Sequence, residues 1–89
     1  MGKKLFVGGI SWNTTEDGLR EAFERFGEVV EANIVFDRYT GRSRGFGFVT
    51  FANEEQAAQA MEQLNGAELD GRAIRVDDAH DKPKAGGPR

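Results

Sequence analysis

Hydrophobic and polar residues alternate in four short stretches of the chain. These are residues 4–10, 29–36, 45–51 and 73–77, and each is rich in β-branched or aromatic side chains. Such runs, bounded by glycine or polar turn residues, are typical of half-buried β-strands. The polar segment 37–43 separates the second stretch from the third, so we predict that these two strands form a hairpin.

Two further segments carry apolar residues at the spacing of a helix, i, i+3, i+4 and i+7. The first set is Leu19, Ala22, Phe23 and Phe26, and the second is Ala57, Ala60, Met61 and Leu64. Thr15 and Asn53 precede the two segments, and we expect them to be N-caps because their side chains accept hydrogen bonds from free helix N–H groups. Gly27 and the pair Asn65-Gly66 predict the two helix ends.

The predicted order is strand, helix, strand, strand, helix, strand, which is one strand–helix–strand unit repeated. Two such units predict an α+β fold, a ferredoxin-like βαββαβ sandwich with a four-stranded antiparallel sheet and both helices on one face. We therefore expect one domain over residues 1–79. Residues 80–89 contain two Pro and two Gly, and we expect them to form a flexible C-terminal tail.

The alternation leaves three phenylalanines outside the predicted core. Side chains alternate across a strand, so aliphatic residues such as Leu5 and Val49 face the helices. Phe6, Phe46 and Phe48 then share the open face of the sheet, and we call these three rings the aromatic platform. Exposed aromatic clusters mark binding surfaces, and a nucleobase stacked on one ring contributes about 1–3 kcal/mol. The alternative is that a partner helix or the tail covers the rings.

The charge balance qualifies this interpretation. The chain has 12 Lys+Arg and 15 Asp+Glu, a net charge of -3, whereas nucleic-acid-binding domains are usually basic. The charges are unevenly distributed, however. Segment 38–44 contains three Arg and no acid, and eight of the 15 acids lie on or beside the predicted helices.

Composition also excludes several functional classes. The chain has no Cys and a single His, so we expect no metal site and no cofactor. No nucleophile or acid–base pair is recognisable, so we predict no catalytic residue and no enzymatic activity. The apolar runs are too short for a membrane span. We expect an intracellular monomer, cytoplasmic or nuclear.

Two segments resemble the signature motifs of the RNA recognition motif family. Residues 44–51, RGFGFVTF, match the octamer RNP1 at every constrained position, and residues 5–10, LFVGGI, resemble the hexamer RNP2. The resemblance covers residues 4–79. Within the family, the chain looks most similar to the single-domain glycine-rich RNA-binding proteins of plants and bacteria.

This resemblance implies the roles of individual residues. Phe6 and Phe48 would stack under two neighbouring bases, Phe46 would pack against sugars or a base edge, and Arg44 would pair with a phosphate. The full set of expected RNA contacts is Lys4, Phe6, Asn33, Val35, Arg42, Arg44, Phe46, Phe48, Arg75, Asp77, Ala79 and His80. Single-stranded RNA is the expected partner. Single-stranded DNA, or a protein bound to the same face, is the alternative.

Several residues have two interpretations. Asp77 and Asp78 would repel phosphate at the platform edge, although carboxylates also accept hydrogen bonds from the amino groups of bases. We expect Trp12 to pack over the start of the first helix, with base stacking as the alternative. Arg42 either binds phosphate or lies in a solvated loop. Gly47 is expected to let a helix approach the sheet.

Overall fold

The computed structural model describes residues 2–79. Its elements are β1 (Lys3–Gly8), α1 (Glu16–Glu24), β2 (Val29–Phe36), β3 (Ser43–Phe51), α2 (Glu54–Leu64), β4 (Glu68–Leu69), β5 (Arg72–Ala73) and β6 (Arg75–Asp78). Four strands form an antiparallel sheet in the order β2-β3-β1-β6. The predicted ferredoxin-like α+β fold is confirmed. The predicted flexible tail, residues 80–89, and the candidate residue His80 lie outside the described residues.

The core is one layer between the sheet and the two helices. It includes Leu5, Val7, Val49 and Phe51 from the sheet and Leu19, Phe23, Ala57 and Ala60 from the helices, all with 0% exposure. The rings of Phe23 and Phe51 lie 6.2 Å apart between centroids. Their burial joins α1 to the central strand β3, and the strand alternation predicted from the sequence is correct here.

The predicted N-caps of both helices are present. The Thr15 hydroxyl accepts the Gly18 N–H at 3.0 Å, and the Asn53 side-chain oxygen accepts the N–H groups of Glu55 and Gln56 at 2.8 and 3.1 Å. Each bond satisfies an N–H group that has no partner inside the helix. The caps therefore position the first turns as the sequence predicts.

The end of α1 differs from the prediction. The helix ends at Glu24, and the chain then tightens, because the Phe26 N–H donates to the Phe23 carbonyl at 3.0 Å. This spacing belongs to a tighter turn than the α-helix. Phe26 still packs against the core, but from the turn after the helix.

The predicted last strand, residues 73–77, is two strands interrupted at Ile74. The Ile74 N–H donates to the Ala67 carbonyl at 2.8 Å, and the Ile74 carbonyl accepts the Gly66 N–H at 2.7 Å. Ile74 is therefore tied to the chain that follows α2. β5 pairs with β4 in a separate hairpin across Asp70 and Gly71, whose φ values of 53° and 86° suit a type I′ turn.

The outer edge of β6 has its hydrogen-bond donors occupied. The Val76 N–H donates to the Asn65 side-chain oxygen at 3.2 Å, and the Asp78 N–H donates to the Asp77 carboxylate at 2.8 Å. With Ile74 bound to Ala67, alternate N–H groups along this edge are all paired within the chain.

The expectation for Gly47 is wrong. A Cβ at this position would overlap the Asn33 carbonyl oxygen on β2, so the close neighbour is a strand and not a helix. Gly47 pairs with Ile34 on β2, and the register of this ladder shifts in the next step, between Ile34 and Phe36. Glycine here lets the two strands approach.

The described part of the chain has two short helices, and neither is long and apolar enough to span a membrane. Within residues 2–79, no three His, Cys, Asp or Glu side chains come together as a group that would hold a metal ion.

Candidate nucleic-acid interface

The aromatic platform forms on the sheet face opposite the helices. Phe6 lies directly across from Phe48 in the β1–β3 register, with ring centroids 5.9 Å apart. Phe46 is 5.7 Å from Phe6 and 6.3 Å from Phe48. All three side chains are half-buried, so each ring keeps exposed surface on the open face.

A small residue shapes this cluster. Gly8 faces Phe46 across the β1–β3 ladder, and the Phe6 ring leans over it. A Cβ on Gly8 would approach the Phe6 ring to 3.0 Å, closer than ordinary contact. The missing side chain therefore lets the Phe6 ring approach Phe46 at an interplanar angle of 32°.

Polar side chains flank the rings in a row that crosses the whole sheet. The register places Asn33 of β2 opposite Phe48, Phe48 opposite Phe6, and Phe6 opposite Asp77 of β6. Asn33 and Asp77 are exposed at the two ends. A base lying on a ring would thus meet an amide on one side or a carboxylate on the other.

Two cations lie close to the rings. The Lys4 ammonium is 4.7 Å from the Phe48 ring centroid, within the range of a cation–π contact. Arg75 is exposed and lies opposite Gly8, on the β6 side of the Phe6 ring. These positive charges stand beside the surface on which a base would stack.

The two neighbouring carboxylates point to opposite faces of the sheet. Asp77 shares the face of Phe6, whereas Asp78 is in register with the buried Leu5. The Asp78 carboxylate forms an ion pair with the Lys3 ammonium at 3.1 Å. The expectation that both acids border the platform is wrong for Asp78, since neighbouring strand residues face opposite sides.

The β2–β3 loop is closed by its own hydrogen bonds. The Asp37 carboxylate accepts the N–H groups of Tyr39 and Thr40 at 2.8 and 3.1 Å, and the Asp37 N–H donates to the Arg42 carbonyl at 2.7 Å. The bonds from Thr40 and Tyr39, followed by the charge of Arg44, hold the pKa of Asp37 below its ordinary value of 3.8. The arginines of this loop therefore project from an ordered turn.

Trp12 differs from its predicted packing role. Its side chain lies near the first turn of α1 but remains 64% exposed. The Arg42 guanidinium carbon lies 5.7 Å from the Trp12 ring centroid. The periodic patterns of strands and helices carry no information about this loop. The only sequence feature that sets Trp12 apart is an aromatic residue among polar ones.

The remaining candidates lie around the platform. Val35 is half-buried on β2, two residues beyond Asn33, and the Ala79 N–H continues the β1–β6 ladder by donating to the Lys4 carbonyl at 3.1 Å. Arg42 and Arg44 are exposed, Arg42 in the β2–β3 loop and Arg44 on β3 two residues before Phe46. The structure thus brings together most of the predicted residues, while their contacts with RNA stay predictions.

Comparison with known proteins agrees with this geometry. The RNA recognition motif model matches residues 5–75. The second RNA recognition motif domain of the yeast poly(U)-binding protein superposes with a TM-score of 0.82 at 36% identity, covering 91% of this chain and 98% of that domain.

Plant relatives match nearly the whole chain. Glycine-rich RNA-binding protein 2, mitochondrial, of Arabidopsis thaliana is 54% identical over 96% of this chain and 54% of its own length. Small RNA-binding protein 11, chloroplastic, of the same plant is 56% identical over 94% of this chain and 58% of its own length. The chain spans about half the length of these curated relatives. The motifs on β1 and β3, the sheet order and these matches together show that the chain belongs to the RNA recognition motif family.

Proposed function

We propose that this chain binds single-stranded RNA across the open face of its sheet, in a segment of about two to four nucleotides. The observation that carries the proposal is the clustering of Phe6, Phe46 and Phe48 on a face that neither helix covers. Aromatic rings stack on any base, so the platform supplies affinity with little sequence preference. An exposed aromatic surface of this kind supports a binding role and not catalysis.

Positively charged side chains hold the phosphate backbone of the RNA beside the aromatic platform. Lys4 stands beside Phe48, and Arg44 lies at the loop end of β3, so phosphates on either side of the stacked bases have a cation within reach. The names of the plant relatives and of the yeast protein point to the same ligand class. We propose an intracellular monomer as the working form.

The edges of the stacked bases meet Asn33 and Asp77, the two polar side chains at the ends of the row that crosses the sheet. The Asn33 amide both donates and accepts hydrogen bonds, whereas the Asp77 carboxylate only accepts them. A groove of about 580 Å³ continues from Phe6 along the outer side of β6, lined by Arg75 and Asp77. An amino-bearing base placed beside Phe6 therefore finds an acceptor there.

The test compares Phe48→Ala with Tyr39→Ala by fluorescence anisotropy of a labelled hexamer RNA at low salt. Phe48→Ala should weaken binding roughly 5- to 150-fold, the loss of one stacked base. Tyr39 is 91% exposed in the β2–β3 loop, so its variant should bind within about twofold of the wild type.

The proposal fails if folded Phe48→Ala binds RNA like the wild type. A parallel titration with DNA of the same sequence distinguishes the two sugars. We expect tighter binding of RNA, the ligand class that the names of the relatives give, and a contact with the 2′-hydroxyl would be the source of the difference.

A further inference from the structure

A second exposed aromatic group lies at the end of the sheet, outside the platform. Trp12 is 64% exposed and Phe36 is 50% exposed, and both line a surface hollow of about 380 Å³ beside the first turn of α1. That volume is in the range of small-molecule sites. Large exposed aromatic residues that share one hollow indicate a binding surface.

We propose that this hollow is a second base-binding site, in which a nucleotide flanking the platform-bound segment stacks on Trp12. The inference rests on the proposed function, because the RNA must first occupy the platform. It adds at least one nucleotide to the footprint and assigns Trp12, Phe36 and Arg42 to the binding of that nucleotide.

Arg42 is already positioned for a phosphate. Its guanidinium carbon is 5.7 Å from the Trp12 ring centroid. Its backbone is fixed on both sides, since the Arg42 carbonyl accepts the Asp37 N–H at 2.7 Å and the Arg42 N–H donates to the Thr40 hydroxyl at 3.2 Å. A guanidinium stacked on an indole keeps its N–H groups free at the edge for phosphate oxygens.

The lining of the hollow includes acidic side chains and therefore suits a base and not a phosphate. It contains Glu16 and Asp17, and one Glu16 carboxylate oxygen accepts the Ile34 N–H at 2.9 Å. Carboxylates repel phosphate but accept hydrogen bonds from exocyclic amino groups. We infer that the site favours adenine or cytosine over uracil.

The hollow is continuous with the platform along the chain. The Ile10 N–H donates to the Gly45 carbonyl at 2.8 Å, which ties the segment before Trp12 to β3 next to Phe46. Arg44 is exposed on β3, and Arg42 lies in the loop directly before this strand. An RNA strand leaving the platform at this end therefore passes two arginines before it reaches Trp12.

The experiment exploits the fact that Trp12 is the single tryptophan of the chain. We would titrate the protein with a four-nucleotide RNA and with an eight-nucleotide RNA whose added bases are adenines, and record tryptophan fluorescence and Kd. The longer RNA should quench the fluorescence and bind tighter. Trp12→Ala should weaken binding of the eight-nucleotide RNA roughly tenfold and of the four-nucleotide RNA less than twofold.

Three further measurements make the test specific. Trp12→Phe should restore most of the affinity, since it keeps an aromatic face, and Tyr39→Ala should bind both RNAs like the wild type. Replacing the added adenines with uracils should weaken binding of the longer RNA. Circular dichroism verifies that each variant folds.

The inference is overturned if the four-nucleotide RNA binds in a Phe48-dependent way while the longer RNA leaves the fluorescence and the Trp12→Ala affinity unchanged. The proposed function survives that result. If neither RNA binds the wild-type protein, the proposed function fails, and this inference fails with it.

Discussion

At the residue scale, two neighbouring aspartates on β6 have different surroundings, because neighbouring strand residues face opposite sides of the sheet. Asp77 faces the platform beside Phe6, whereas Asp78 faces the helix side and pairs with Lys3. The side-chain hydrogen bond of Asp77 to the Asp78 N–H holds its carboxylate near the strand. Only one of the two acids is therefore available to a base.

We expect Asp77→Asn to change base preference without a loss of stability. The variant exchanges a charged acceptor for a neutral amide, so discrimination in favour of amino-bearing bases over uracil should fall by about 1 kcal/mol, or roughly fivefold. Binding of adenine- and uracil-rich oligomers by wild type and variant measures this change.

Asp78→Asn is the matched control for this substitution. It should leave base preference unchanged and lower the free energy of unfolding by at most about 1 kcal/mol, because its ion pair with Lys3 is partly exposed to water. Equal effects of the two variants on base preference would contradict the facing assigned here.

At the scale of elements, the hairpin loop between β2 and β3 depends on one ionised side chain. The Asp37 carboxylate accepts two backbone N–H groups, and the nearby Arg44 charge adds to the same effect. The loop then carries Arg42 to its place over Trp12. The order of the loop is therefore linked to the charge of Asp37.

Acid should loosen this loop. The pKa of Asp37 is lowered in the folded state, so its contribution to stability is fully present above about pH 3.8 and is lost as the pH falls through the lower, folded-state pKa. A titration followed by NMR at the Asp37 carboxyl and at the amides of Tyr39 and Thr40 tests this. A carboxyl midpoint at or above 3.8 would contradict it.

The strands also show which features of the fold a local sequence pattern can predict and which it cannot. The strict two-residue period of strands placed Phe6 and Phe48 on the open face and Leu5 and Val49 in the core. The break at Ile74 was missed because it depends on hydrogen bonds to residues that follow α2, which no local pattern reports.

The candidate site was likewise predictable from the sequence where its residues lie on strands, and not where they lie in loops. Residues on strands were predicted as a group, because alternation and the motif resemblance identify them together. The exposure of Trp12 and its contact with Arg42 depend on how two loops meet, and loops have no period to detect.

At the scale of the whole molecule, charge is divided between the two faces. The helices α1 and α2 contain seven acidic residues and one basic residue, all exposed, and they cover the back of the sheet. Lys4 and Arg75 lie on the open face, and the exposed Arg44 lies on β3 two residues before Phe46. The net charge of -3 is therefore compatible with a face that attracts RNA.

This division predicts a shallow salt dependence. With about two to four cations engaged, the logarithm of the binding constant should fall with the logarithm of salt with a slope of about -1.4 to -2.8. Arg44→Gln should reduce the slope by about 0.7. Arg20→Gln, on the back of the molecule in α1, should leave it unchanged.

A slope twice as steep in the wild type would mean that phosphate contacts extend well beyond these cations. A slope that Arg44→Gln leaves unchanged would remove Arg44 from the contact set. Anisotropy titrations at five salt concentrations give both quantities.

The occupied donors along β6 have a consequence for self-association of the chain. A sheet grows by adding a strand to free N–H and carbonyl groups at its edge. The N–H groups of Ile74, Val76 and Asp78 are already engaged. A second copy of the chain that approaches this border therefore finds no free N–H on these three residues, which disfavours the edge-to-edge pairing that joins two sheets into one aggregate.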